Sequence, residues 1–310
     1  PPRSTLFPYT TLFRSEVEAL RALTGQDCVR TPHLFGAVHS DAPGAEGLVL
    51  GLVEEFLPDA RDGWEEAVRQ AADAVAGTGR PAGGGFTRDA AALGRAVADV
   101  HGALGAAFGQ TRLTTEDVAE ETARMTMRLK EAAEEVPALA RYTARLGALF
   151  DDCARVAGRG CPLFVQRIHG DLHLGQALRA HDGWRIVDFE GEPARSAAER
   201  ARPEPVLKDV AGMLRSFDYA ARTGLGADDE SVPAIRLRRR RRASAWAARN
   251  RRAFITGYAS AGHEDPDCHP VLLRAFEADK AVYEAVYESR LRPDRLPIPL
   301  AALHRLATSR

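Results

Sequence analysis

The chain has 310 residues, 45% hydrophobic and 27% charged, enough to bury the core of one large domain or two modest ones. Lys and Arg number 42 against 43 Asp and Glu, a formal charge of -1, so no global field draws the protein to nucleic acid or a membrane surface. Its apolar runs fall well short of the roughly 20 residues that cross a bilayer, and the start lacks a charged-then-apolar signal pattern; a cytoplasmic location is expected.

In chain order, residues 1–15 have neither helical nor strand periodicity and read as a foreign leader. A short helix is predicted at 16–23, then strands at 32–38 and 47–56. The second strand is apolar almost throughout and is expected inside a sheet. Helical spacing recurs at 64–76, 88–108, 115–134 and 138–156, with a Gly/Pro-rich connector at 77–85. Two strands return at 163–168 and 184–189 around a polar loop. Helices follow at 206–221, 243–260 and 269–289. The arginine run at 236–242 reads as a solvated segment at a helix entrance or, alternatively, an anion or nucleic-acid contact, although no aromatic residues interleave it. Cys28, Cys153, Cys161 and Cys268 form no C-x-x-C pair, so neither a zinc knuckle nor a disulfide framework is indicated.

The most informative stretch is residues 166–192. One strand leads into His169-Gly170-Asp171, and another ends at Asp188-Phe189-Glu190, with Gln176 between. In phosphoryl transfer a carboxylate accepts the proton of the acceptor hydroxyl. Mg²⁺, held by an oxygen side chain and a second carboxylate, bridges nucleotide phosphates. Asp171, Gln176 and Asp188 suit those roles in that order. Taken singly, the two aspartates are equally ordinary turn residues.

This pattern resembles the kinases of the aminoglycoside-phosphotransferase-like fold, in which Asn is commoner than Gln at the amide position. Within that group the chain is most similar to the bacterial maltokinases. The motifs that carry the likeness are HGDLHLGQ at 169–176, DFEGEP at 188–193, DVAGMLRSFDYAA at 209–221 and DKAVYEAVYE at 279–288, within residues 50–306.

The resemblance implies Asp171 as catalytic base and Gln176 and Asp188 as magnesium ligands. It also implies that Asp209 braces the catalytic loop, a role compatible with capping its own helix. His169 is expected to orient the loop, while His173 is either structural or a sugar contact. Lys280, Tyr283, Glu284, Tyr287 and Glu288 recur at steps of three and four, so they share one helical stripe. Tyrosine faces and charged groups suit a sugar, and the likeness extends the stripe to Arg292; packing against a neighbouring helix is the plainer reading.

The expected fold is therefore a protein-kinase-like α+β fold with a truncated small N-lobe and a large, mainly helical C-lobe. Its divisions are a leader at 1–15, a remnant of N-lobe and hinge at 16–60, and the helical lobe at 61–310. No lysine precedes Lys130, so the strand lysine of such kinases is missing and the chain reads as a kinase fragment. Glu54, Glu55, Phe56 and Leu57 are expected to form the hinge that meets adenine. The implied activity is ATP- and Mg²⁺-dependent phosphorylation of maltose for α-glucan synthesis, with a trehalose synthase as a possible partner. The alternatives are a kinase of another sugar or amino sugar such as glucosamine, or a sugar-binding fragment without catalysis.

Overall fold

Val17, Leu20 and Leu23 repeat at helical spacing and are buried along the first helix, α1 (Leu12–Gly25). In this computed structural model, residues 12–42, 48–78, 85–156, 161–192, 195–226, 232–262 and 264–308 are described. The helix begins before the boundary expected at residue 15. Ser15 is buried, and its hydroxyl accepts from Arg167 at 2.6 Å. Residues 1–11 and most of the 77–85 connector lie outside the described residues.

Two antiparallel strands follow, β1 (Leu34–His39) and β2 (Val49–Glu54). α1 covers one face of this hairpin, where Leu34 and Val49 are buried. The other face exposes Phe35, Val38, Leu50 and Val53. Sequence had placed the second strand inside a sheet; among the described residues β2 pairs with β1 alone. An apolar run records hydrophobicity but not the number of neighbours a strand finds.

Next come β3 (Arg61–Asp62), α2 (Gly63–Ala76), α3 (Phe86–Phe108), β4 (Gln110–Arg112) and α4 (Thr115–Glu135). Asp62 caps α2 by accepting the Glu65 amide at 2.9 Å, and Thr114 with Asp117 forms a capping box at the start of α4. A 3-10 turn at Pro137–Tyr142 and α5 (Thr143–Val156) replace the single helix expected over 138–156. β5 (Phe164–Gln166) delivers the H-G-D segment, and β6 (Ala177–Ala180) and β7 (Gly183–Ile186) frame its exit. After α6 (Ala197–Arg200) and β8 (Glu204–Pro205), the body closes with α7 (Leu207–Thr223), α8 (Pro233–Ala259), α9 (Pro270–Leu291) and α10 (Pro297–Thr308). The sheets β3-β6-β7 and β4-β5-β8 are small and antiparallel. None of the helices described is long and apolar enough to cross a membrane.

The core gathers Phe86, Trp184, Phe217, Trp246, Phe254 and Tyr258, whose rings meet mainly edge to face or tilted. α3 and α8 cross so closely that a Cβ on Gly94 would overlap the Phe254 carbonyl, and one on Gly257 the Ala91 carbonyl. Gly257→Ala is expected to cost about 1–3 kcal/mol by overpacking a backbone that has no free space. A urea midpoint equal to wild type would show that the helices separate without penalty.

One expectation fails for a tertiary reason, and another holds only in part. Cys161 and Cys268, 107 residues apart with Cα atoms 6.0 Å apart, form a disulfide that ties the approach to β5 to the start of α9. No local spacing signals a pair brought together by folding. The arginine run is largely exposed, as a solvated segment would be, but it already lies within the opening turns of α8 and does not precede the helix. Arg239 donates to the Leu225 carbonyl and Arg242 to that of Val75, which fastens the helix to the turn after α7 and to α2. α10 was not anticipated at all.

Candidate active site

Between β5 and β6 the chain is held in place by buried polar groups. The Asp209 carboxylate, in the first turn of α7, accepts from the His169 amide at 2.8 Å, the Gly170 amide at 2.9 Å and His101 Nε2 at 3.0 Å. His101 Nδ1 accepts in turn from the Tyr258 hydroxyl at 2.8 Å. Burial opposes the charge on Asp209, but His101, His169 and the Gly170 amide outweigh it and hold the carboxyl below its ordinary range. Asp209 thus bonds the loop and not its own helix end, which has no side-chain cap. His101 and Tyr258 were invisible as partners because α3 and α8 supply them from 108 and 49 residues away.

Gly170 has φ of 86°, a left-handed conformation that a side chain would resist, and this turn releases Asp171. His169 Nε2 donates to the Val187 carbonyl at 3.0 Å, leaving Nδ1 to accept the Asp171 amide at 3.3 Å. That fixes the ring across both sides of the loop. His173 caps the 3-10 turn Leu174–Gln176 by accepting the Gly175 amide at 3.0 Å, so it has a structural task; burial lowers its basicity.

Lys280 on α9 donates to Asp171 Oδ1 at 3.1 Å. Burial would raise the Asp171 pKa, yet Lys280, His173 and His169 outweigh it and keep the carboxylate ionised below its usual range. On the other side of the loop, the Gln176 amide bonds Asp188, which stands at φ 65°. Such a conformation in a non-glycine residue is uncommon and turns the exposed carboxylate out beside the loop. Gln176 and Asp188 together retain further oxygen lone pairs, a donor set that suits a hard divalent cation completed by phosphate oxygens. Among the described residues no three His, Cys, Asp or Glu side chains are gathered to hold a metal unaided.

Glu16 of α1 is a further neighbour that sequence reading passed over. It accepts the Phe189 amide, and burial together with Glu190, Asp188 and Glu54 pushes its carboxyl up to about 7. Its signal in sequence was only one acid in an amphipathic helix. Glu54 ends β2, and burial raises its pKa. Glu55 pairs backbone to backbone with His33, Leu57 is half-buried, and Phe56 is 84% exposed at the passage from hairpin to helical body.

A cavity of about 700 Å³ opens at Asp171 and is walled by α4, α7, α9 and the chain after β7. Of the predicted α9 stripe, Lys280 and Tyr283 line it. Glu284 turns inward and accepts from Arg215 at 2.6 and 3.0 Å, while Glu288 is 1% exposed and held by Arg292 at 2.7 and 2.9 Å and by Tyr219. Tyr287 stacks on Tyr283 at 6.4 Å with Arg292 over its ring. The like charges of Glu284 and Glu288 are therefore neutralised by arginines from α7 and from the end of α9, which the spacing along one helix could not show.

The same cavity contains a chain of shared ion pairs. Arg128 joins Asp279, at 2.7 and 2.9 Å, to Glu121 at 3.4 Å. Lys208 joins Glu121, at 3.0 Å, to Glu204 at 2.8 Å. Arg195 joins Glu204, at 3.1 Å, to Glu192 at 3.0 Å. Burial opposes ionisation of Glu121, but Lys208, Arg124 and Arg128 hold its carboxyl down at about 2.

A family model described as the phosphotransferase enzyme family matches residues 11–246. A glucosamine kinase of Streptacidiphilus jiangxiensis is 36% identical over 227 residues, 70% of this chain and 48% of the relative. A glucosamine kinase of Mycolicibacterium smegmatis is 30% identical over 300 residues, 92% of this chain and 69% of that protein. The chain thus spans about half the length of one relative and about two thirds of the other. A solved glucosamine kinase in complex with glucosamine, ADP and inorganic phosphate superposes with a TM-score of 0.78 at 29% identity, covering 94% of this chain and 71% of that one. A second crystal form gives 0.76.

These relatives overturn the maltokinase reading, and with it maltose, α-glucan synthesis and a trehalose synthase partner. The motifs that suggested maltokinases therefore do not identify the acceptor. The protein-kinase-like fold expected from sequence is the one observed, and the chain belongs to the phosphotransferase enzyme family.

Proposed function

We propose that this chain is the catalytic body of an ATP-dependent kinase whose acceptor is an amino sugar of the glucosamine class. The observation that carries the reading is Asp171, ionised and held on a braced loop at the mouth of a charge-lined cavity. The resemblance to proteins named glucosamine kinases supports the choice of acceptor.

In this reading Asp171 accepts the proton of the acceptor hydroxyl, and Lys280 keeps the carboxylate charged and oriented until the hydroxyl arrives. His169 and Asp209 fix the loop so that the base meets the hydroxyl with little reorganisation. Gln176 and Asp188 would hold Mg²⁺, which when bound neutralises charge on the nucleotide phosphates. Residues 16–60 carry the nucleotide side, with the backbone of Glu54, Glu55, Phe56 and Leu57 offered to adenine, and residues 61–310 carry the acceptor side.

The test is label transfer from ATP to glucosamine with Mg²⁺ present, run beside calorimetry of the same sugar. Transfer or binding that favours glucosamine over glucose is expected. Absence of both transfer and binding, or indifference between the two sugars, would remove the amino-sugar reading.

A further inference from the structure

We infer that Glu192 is the residue that selects an ammonium group on the acceptor. The inference rests on the amino-sugar reading and deepens it by naming the group that recognises the amine.

Among carboxylates around the cavity, most are already saturated. Asp279 is gripped by Arg128 through both oxygens, and Glu121 is shared by Lys208, Arg124 and Arg128. Glu204 serves both Lys208 and Arg195. Glu284 and Glu288, the acids of the predicted α9 stripe, are buried against arginines and do not line the cavity. Glu192 ends the series with one ion-paired cation, Arg195 Nε at 3.0 Å, which also binds Glu204; Lys280 lies near enough to feel its charge but is itself paired to Asp171, so it leaves the count unchanged.

The series starts on the Asp279 carboxylate, finishes on the Glu192 carboxylate, and shares each cation between two acids. It therefore retains one negative charge in excess. Arg124 does not remove it, because that guanidinium is divided between Glu120 and Glu121. An ammonium is the ligand group that completes such a chain, and a mostly shielded carboxylate makes the pairing stronger than it would be in water.

The placement is suitable for an acceptor. Glu192 lines the cavity with Asp171 and Lys280, and the Tyr283 hydroxyl bonds it, which leaves the other carboxylate lone pairs for a ligand. Its side chain is 13% exposed, so it is shielded but reachable. Glu192 would then discriminate an amine from a hydroxyl at the same ring position, while Asp171 acts on the reacting hydroxyl.

Calorimetry on the full chain with glucosamine, glucose and N-acetylglucosamine tests this. The native protein should prefer glucosamine to both neutral sugars. In Glu192→Gln the ratio of glucosamine to glucose affinity should fall ~10- to 100-fold, the range of a charge-assisted hydrogen bond. Glu192→Asp, which keeps the charge but withdraws it by one methylene, should lie between the two and guards against misreading a folding defect. If Glu192→Gln keeps the native ratio, the assignment is overturned and the amino-sugar reading stands. If the variant weakens both sugars equally, Glu192 is structural and the assignment is again overturned. If the native protein itself shows no preference, the amino-sugar reading fails and the role of Glu192 fails with it.

Discussion

Replacing Asp171 by asparagine is expected to lower turnover by about 10²- to 10⁴-fold while leaving acceptor affinity within a few fold. The amide has nearly the shape of the carboxylate, so the Gly170 turn and the backbone bond from Asp171 N–H to His169 survive. What disappears is the acceptor for the hydroxyl proton, together with the anion that faces Lys280 Nζ at 3.1 Å. Steady-state kinetics with glucosamine and ATP would show this as a loss in kcat with little change in KM, the pattern of an interaction made in the transition state. Unchanged turnover would mean that Asp171 merely anchors Lys280. An equal rise in KM would place it in binding.

The second large effect is expected at Asp209, which touches no cavity ligand group in this reading but holds the loop that does. Asp209→Asn preserves volume and turns an acceptor into a donor facing the His169 and Gly170 amides or His101. A buried donor left without a partner costs about 1–3 kcal/mol, so with up to two such donors stranded a loss of several kcal/mol is expected.

The sign with pH follows from the direction of its shift. Because the folded-state pKa is depressed, Asp209 contributes stability above its unfolded value, and that contribution is lost as pH falls through the acid range. Urea midpoints measured from neutral to acid pH should therefore fall steeply for wild type and less steeply for the variant, which starts lower. Turnover should also fall, since a misplaced loop degrades alignment at Asp171. A variant with the native midpoint and native turnover would show that the Asp209 network is dispensable.

Much of the local structure was legible in sequence because it depends on neighbours along the chain. The helices α2, α3, α4, α7 and α9 follow their three- and four-residue apolar spacing to within a few residues. The H-G-D turn and the Asp188 turn were found because strand ends, glycine and short polar residues leave a compact signature. α4 starts at Thr115, as its spacing and early acidic residues predict, with Thr114 capping it from the residue before.

By itself, then, the sequence determined the helical faces, the H-G-D loop motif and the resemblance to a kinase frame, all of which are encoded over a few to a few tens of residues. Only the tertiary structure decided which acids are available and which are occupied. Glu284 and Glu288 follow a helical period on α9, but Arg215 arrives from α7, 69 residues away, and takes Glu284 out of contention. Glu192 belonged to a quoted motif without a role until Arg195, Lys208, Arg128 and their shared acids converged around it. The His101–Asp209–Tyr258 brace and the Cys161–Cys268 bond arise in the same way. Charge pairing and burial are properties of groups brought together in space, where desolvation raises the energetic stakes of every partner; spacing along the chain carries no record of them.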